Sequence, residues 1–202
     1  MRKRLITSFS ILLLFFLFPV EGQSGGASSP RQFVNKLIGE VRQFIKAGDV
    51  QKANLLFAFY FDMPRFGKLC LVDHWDEFSS SERDRYINLL DQNIRQNLQK
   101  RMLFTKQDAN FKLSINKITM RDDGLVFVEN TLHISRGDFK LAFMLVRSSG
   151  SYRIVDYEFE GALLSRNYRG HFNYLLRKYD KETFLGKLAE KLYTAERPVA
   201  QK

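Results

Sequence analysis

The sequence predicts an α+β fold, with helices, then strands, then helices along the chain. Three observations carry this. Apolar residues recur every three or four positions from residue 32 to about 102. From Phe111 to Phe159 they alternate with polar residues instead, and short turn sequences divide that stretch into four strands. After Gly161 the helical spacing returns. Four consecutive strands joined by tight turns make an antiparallel meander, curved and packed by the N-terminal and C-terminal helices.

The chain opens with a basic stretch, Arg2-Lys3-Arg4, and an almost wholly apolar run from Leu5 to Val20. Small residues follow from Gly22 to Ser29. This is the layout of an export signal, with an apolar core shorter than the roughly 20 residues of a membrane span. Residues 1–22 are read as signal peptide, 23–31 as linker, 32–195 as one domain and 196–202 as a flexible tail. An uncleaved N-terminal anchor is the alternative. No cysteine follows the apolar run closely, which argues against a lipid anchor.

Pro30 marks a helix start. Phe33, Val34, Leu37, Ile38, Val41, Phe44 and Ile45 then share one helical face, and Gly48-Asp49 ends it. Asp49 to Phe61 is apolar and helical until Met63-Pro64, and a short helix covers Arg65 to Trp75. Ser79 to Glu82 is a serine cap with an acidic first turn. The long helix behind it runs to about Met102, with Tyr86, Leu89, Leu90, Ile94 and Leu98 as its apolar stripe. Turns at Asp122-Asp123-Gly124, Arg136-Gly137-Asp138 and Ser148-Ser149-Gly150 separate the strands. Helices over Leu163–Tyr179 and Lys181–Tyr193 finish the chain.

The inward residues on the sheet are Phe111, Leu113, Val126, Val128, Leu132, Phe139, Leu141, Phe143, Leu145, Val155, Tyr157 and Phe159. The helices add Tyr86, Leu90, Ile94, Tyr168, Phe172, Leu175, Leu176, Phe184 and Leu188. Periodicity does not separate a solid core from a hollow one.

The 202 residues carry a net charge of +10, and loss of Arg2, Lys3, Arg4 and Glu21 with the signal leaves +8. About 180 residues remain, enough for one well-packed domain. Export removes nucleic acid as a partner and leaves membrane surfaces and acidic proteins as targets of a basic surface. Cys70 is the sole cysteine, so no intrachain disulfide forms, and its apolar surroundings read as a buried small hydrophobe.

Little in the sequence points to catalysis. His74, His133 and His171 are scattered, and Asp73 to Glu77 reads as a polar helix end with one buried tryptophan rather than a metal site. Asp156, Glu158 and Glu160 alternate with Val155, Tyr157 and Phe159. That places the acids on the wet face of a half-buried strand, with acid–base work by Asp156 and Glu158 as the enzymatic alternative. Arg136-Gly137-Asp138 is ordinary turn chemistry.

From Phe61 onward the sequence resembles the MlaC-type periplasmic phospholipid-binding proteins, the toluene-tolerance family. The likeness rests on Phe61-Asp62-Met63, His74-Trp75, Phe78 to Arg83, Tyr152 to Asp156, Glu160-Gly161, Leu164, Asn167-Tyr168-Arg169, Phe172 and Phe184 to Leu188. It covers about two-thirds of the mature chain. Leu163 departs from the small hydroxylic residue of the family, and Tyr179 to Thr183 lengthens the last loop.

The resemblance implies a non-enzymatic, periplasmic lipid carrier whose helices and sheet enclose an apolar cavity. No cofactor is implied, only bound phospholipid as cargo. It also implies an inner-membrane ABC-type lipid transport complex, an outer-membrane lipid-handling complex and transient membrane-surface contact as partners. Tyr86, Leu90, Ile94, Val126, Val128, Phe143, Leu145, Val155, Tyr157, Tyr168, Phe172 and Leu176 are the expected tail contacts. Arg169 is the expected phosphate contact, with a structural salt bridge as its alternative. A hopanoid or other lipid cargo, and a non-catalytic envelope interaction module with a solid core, are the competing readings.

Overall fold

The structure of this chain, a computed structural model, describes residues 28–100 and 104–196. The expected signal peptide, the first part of the linker, the helix end near Met102 and nearly all of the expected tail lie outside them.

Five of the six helices start at side-chain caps that the local sequence supplies. α1 (Pro30–Lys46) begins at Ser29, whose Oγ accepts from Gln32 N–H at 3.2 Å while the Gln32 amide oxygen accepts from Ser29 N–H at 2.7 Å. This reciprocal pair with Pro30 at the first position starts the helix inside the stretch expected as linker. Asp49 caps α2 (Val50–Tyr60) by accepting from Lys52 N–H, and Asp62 caps α3 (Met63–Leu71) by accepting from Arg65 N–H. Ser79 and Glu82 form the same reciprocal pair at α4 (Ser80–Lys100). Asp180 accepts from Thr183 N–H at the start of α6 (Lys181–Glu196). α5 (Leu164–Lys178) has no cap from its own Leu163.

A 3₁₀ turn, Val72–Glu77, joins α3 to α4. Trp75 lies in it half-buried rather than buried; the Arg83 guanidinium sits 5.0 Å over its ring and donates from Nε to its carbonyl at 3.0 Å.

The sheet has five strands, one more than expected: β1 (Lys112–Met120), β2 (Leu125–Ile134), β3 (Gly137–Ser148), β4 (Ser151–Phe159) and β5 (Ala162–Leu163). They lie side by side in sequence order, each antiparallel to the next. The extra strand follows from Glu160-Gly161, whose φ values of 49° and 80° make a two-residue hairpin turn. Ser149-Gly150 turns the same way, at 47° and 78°.

Alternation holds along β2 and β3. Val126, Val128, Leu132, Leu141, Phe143 and Leu145 are buried on the face that meets the helices. Phe139 and Phe159 are half-buried and stack on each other with centroids 5.5 Å apart. Along β4 alternation fails. Met144 pairs with Asp156 but Leu145 pairs with Ile154, so Val155 is an unpaired bulge residue. Asp156 still alternates with Tyr157, yet it is 1% exposed rather than on a wet face, because Ser165 at the start of α5 closes over its carboxyl, with Oγ at 2.5 Å. Glu160 has left the strand for the turn.

Candidate functional site

Two regions of the interior differ. One is solid. Tyr86, Phe172 and Phe184 pack with ring centroids 5.3 to 6.1 Å apart, and Phe78 and Trp75 join them. The Tyr86 hydroxyl donates to the Gly67 carbonyl at 3.2 Å, closing α4 onto α3. Leu90 lies beside the same glycine. α1 lies against β1, β2 and β4, and Val126, Val128 and Leu145 belong to the buried core there.

The other region is hollow. A cavity of about 670 Å³ opens between β3, β4 and helices α2, α4, α5 and α6. That is the size of a typical small-molecule pocket, roughly 300–1,000 Å³. α2 contributes Phe57, and Phe61 joins it from the extended residue that ends the helix. α4 contributes Ile94 and Leu98, and the sheet contributes Leu141, Phe143, Tyr157 and Phe159. Leu164, Asn167, Tyr168 and His171 form an i, i+3, i+4, i+7 stripe along α5, grading from apolar to polar. Asn54, Asn97 and Lys191 complete the lining.

The polar lining residues divide into two kinds. Asn54 is buried and fully engaged: its amide donates to the Val50 and Phe104 carbonyls, and its oxygen accepts from Phe104 N–H at 3.0 Å. It fixes the strand-side return of the chain to α2. Asn97, Asn167, His171 and Lys191 are half-buried or exposed, and Asn97 donates to the Tyr168 hydroxyl at 3.1 Å. Burial and the nearby Lys191 charge push the His171 imidazole below its ordinary value.

Of the residues expected to touch tails, the cavity brings together Ile94, Phe143, Tyr157 and Tyr168. Tyr86, Leu90 and Phe172 belong to the solid aromatic region, Val126, Val128 and Leu145 to the closed part of the sheet, Val155 to the bulge, and Leu176 is half-buried outside the lining. Arg169 does not reach the lining. Its Nε and Nη2 both donate to the Leu69 carbonyl, at 3.1 and 2.8 Å, tying α5 to the last turn of α3. The missed residues include Phe57, Phe61 and, on α5, Leu164, Asn167 and His171, and these last three carried a signal in their three-residue and seven-residue spacing from Leu164 beside Tyr168.

The expected acid–base pair is also placed otherwise. Asp156 accepts from Tyr157 N–H, Ser165 N–H and Ser165 Oγ. Burial, the largest influence on it, raises its carboxyl above the ordinary value. The Cys70 thiol is buried and pushed far up by that burial. On the sheet surface Ser114 Oγ lies 3.0 Å from His133 Nε2, and His133 Nδ1 lies 2.7 Å from Asp138. This chain resembles a nucleophile–base–acid relay, but Ser114 and Asp138 are exposed and water competes for both contacts. It reads as a polar ladder across β1, β2 and β3. Among the described residues no cluster of three or more His, Cys, Asp or Glu could hold a metal, and no helix is long and apolar enough to cross a membrane.

Residues 35–190 match the family model described as MlaC protein. The chain belongs to the MlaC family. No curated protein matches it. Among solved structures it is similar to the phospholipid-binding protein from Ralstonia solanacearum in complex with a phospholipid, at 17% identity and a TM-score of 0.66. The match covers 84% of this chain and all of that one, and it shows a shared fold. The MlaC match thus runs from within α1 into α6, and every lining residue of the cavity except Lys191 falls inside its bounds.

Proposed function

We propose that this MlaC-family chain is a periplasmic lipid carrier that moves phospholipid between the inner and outer membranes with the acyl tails held in the cavity. The observation that carries the reading is the hollow between β3, β4 and the helices, lined by aromatic and aliphatic side chains with exposed polar residues among them. The similar fold that was solved with a phospholipid supports it.

Each methylene kept from water is worth about 0.8 kcal/mol, so two acyl chains cost on the order of 20 kcal/mol to expose. A soluble shuttle must therefore enclose them. The bilayer shelters them equally well, so loading and unloading need alignment with a membrane rather than bond chemistry. An inner-membrane ABC-type complex and an outer-membrane lipid-handling complex are the docking partners this implies. The basic balance of the chain, +10 overall, suits brief contact with anionic surfaces.

The test is to purify the mature protein without detergent, extract it for lipid mass spectrometry and measure transfer between vesicles. Co-purifying phospholipid and vesicle-to-vesicle transfer are expected, and Leu98→Trp or Leu141→Trp should lower both. Val128→Trp, by contrast, overpacks the closed core and should lower the melting temperature instead. A folded, lipid-free protein that transfers nothing would remove the proposal.

A further inference from the structure

The charged and polar groups on the cavity wall are not balanced. Lys191 and His171 line it, Asn97 and Asn167 accompany them, and no aspartate or glutamate is among the described lining residues. The four come from three helices, α4, α5 and α6, and Asn167, His171 and Lys191 are exposed, so they stand where the cavity wall meets water. Asn167 and His171 are one helical turn apart on the stripe that begins with Leu164. A wall whose described lining residues carry positive charge and no carboxylate favours an anion where it meets water. Arg169, the cation that the family resemblance singles out, is held on the Leu69 carbonyl and leaves this role to other groups.

We infer that Lys191 and His171, with Asn167 and Asn97 as neutral donors, form a phosphate subsite at the mouth. There they bind the phosphoryl group of a lipid whose tails fill the cavity. This rests on the carrier reading above and adds to it that the headgroup is recognised. The ammonium group supplies a point charge, the imidazole a second donor, and the amides hydrogen bonds that fix the phosphoryl oxygens. The proximity of Lys191 already works against protonation of His171. An anionic oxygen between the two offsets that repulsion, so a bound phosphate and a protonated His171 favour each other.

The test compares three probes on the lipid-free protein: phosphatidylglycerol vesicles, diacylglycerol in neutral vesicles and inorganic phosphate. Uptake is followed by mass spectrometry and the His171 titration by NMR. Phosphatidylglycerol loading should raise the His171 pKa, and diacylglycerol loading should leave it in place. In Lys191→Gln and His171→Gln, both at exposed positions, the ratio of phosphatidylglycerol to diacylglycerol uptake should fall roughly fivefold. If both lipids load and neither the titration nor the ratio responds, the subsite is refuted while the carrier stands. A shift with inorganic phosphate and none with phosphatidylglycerol assigns the group to free phosphate and overturns the headgroup reading. If no lipid loads at all, it is the carrier reading that fails.

Discussion

The Asp156 carboxylate holds Ser165 twice, accepting from its hydroxyl at 2.5 Å and from its backbone N–H at 3.2 Å. Ser165 is the second residue of α5, the helix without a cap of its own, so a strand residue nine positions earlier supplies the missing acceptor. Asp156→Ala should therefore cost about 2–3 kcal/mol, since it strands buried donors. Ser165→Ala should cost less, about 1 kcal/mol, because the Tyr157 and Ser165 N–H groups still reach the carboxylate. Denaturant midpoints of the two variants decide this. Near-zero changes would deny the capping role.

Asp156 also sets a pH dependence. Burial raises its folded pKa above the unfolded value of about 4. Its contribution is then fully present below that value and is lost as pH rises through the folded one. Asp156→Asn cannot ionise, so its melting temperature should gain on the parent's between pH 4 and 7. A difference that stays constant over that range would contradict the sign.

How far the sequence foretold these contacts depends on their range. The caps at Ser29, Asp49, Asp62, Ser79 and Asp180 act within three residues, so local pattern finds them. The turns at Gly124 and Gly150 need positive φ, which the glycines announce. The bulge at Val155 leaves no local mark, and neither does the burial of Asp156, which depends on Ser165 nine residues later. The cavity is likewise illegible residue by residue. Leu90 and Leu98 share one stripe of α4, yet the first packs beside Gly67 and the second faces a hollow. That choice belongs to how far neighbouring helices stand apart, which periodicity does not encode. The family resemblance supplied the hollow, and it misplaced Arg169 because a cation beside an expected mouth was read without its backbone partner.

Asp108 should show the opposite pH trend. It is 2% exposed and accepts from Thr105 N–H at 2.7 Å, Thr105 Oγ1 at 2.9 Å, Ser135 N–H at 2.9 Å and Ser135 Oγ at 2.7 Å. Burial pushes its carboxyl up, but these donors together hold it below the ordinary value. The stability it supplies is present above the unfolded pKa and is lost as pH falls through the folded one. Asp108→Asn turns an amide toward donors and should cost about 2–4 kcal/mol at pH 7. The gap to the parent should narrow as urea unfolding is repeated at lower pH. A gap that widens in acid would show that the donors do not favour the charged form.

Arg169 offers a direct test of structure against lipid contact. Its fork donates two hydrogen bonds to one carbonyl, a geometry lysine does not reproduce. Arg169→Lys should lower stability by about 1 kcal/mol and leave the co-purifying phospholipid unchanged. Lost lipid with unchanged stability would place the guanidinium at the headgroup after all.

Gly67 marks the closest approach of α3 to α4. A Cβ there would collide with Ile87 Cδ1 and meet Tyr86 Cε1 at 3.1 Å, beside Leu90. Tyr86 is wholly buried and its hydroxyl is bound to the Gly67 carbonyl, so the ring has no room to retreat. Alanine gains about 1 kcal/mol of helix propensity at an unstrained site, whereas overpacking costs about 1–3 kcal/mol. Gly67→Ala should thus destabilise by about 1 kcal/mol or more. Ile87→Val removes the colliding methyl at a half-buried position, a change near the low end of about 0.5–1.5 kcal/mol. The double variant should recover much of the Gly67→Ala loss, giving a favourable coupling in a double-mutant cycle. Simple additivity would mean that the ring of Tyr86, not the methyl of Ile87, sets the distance between the two helices.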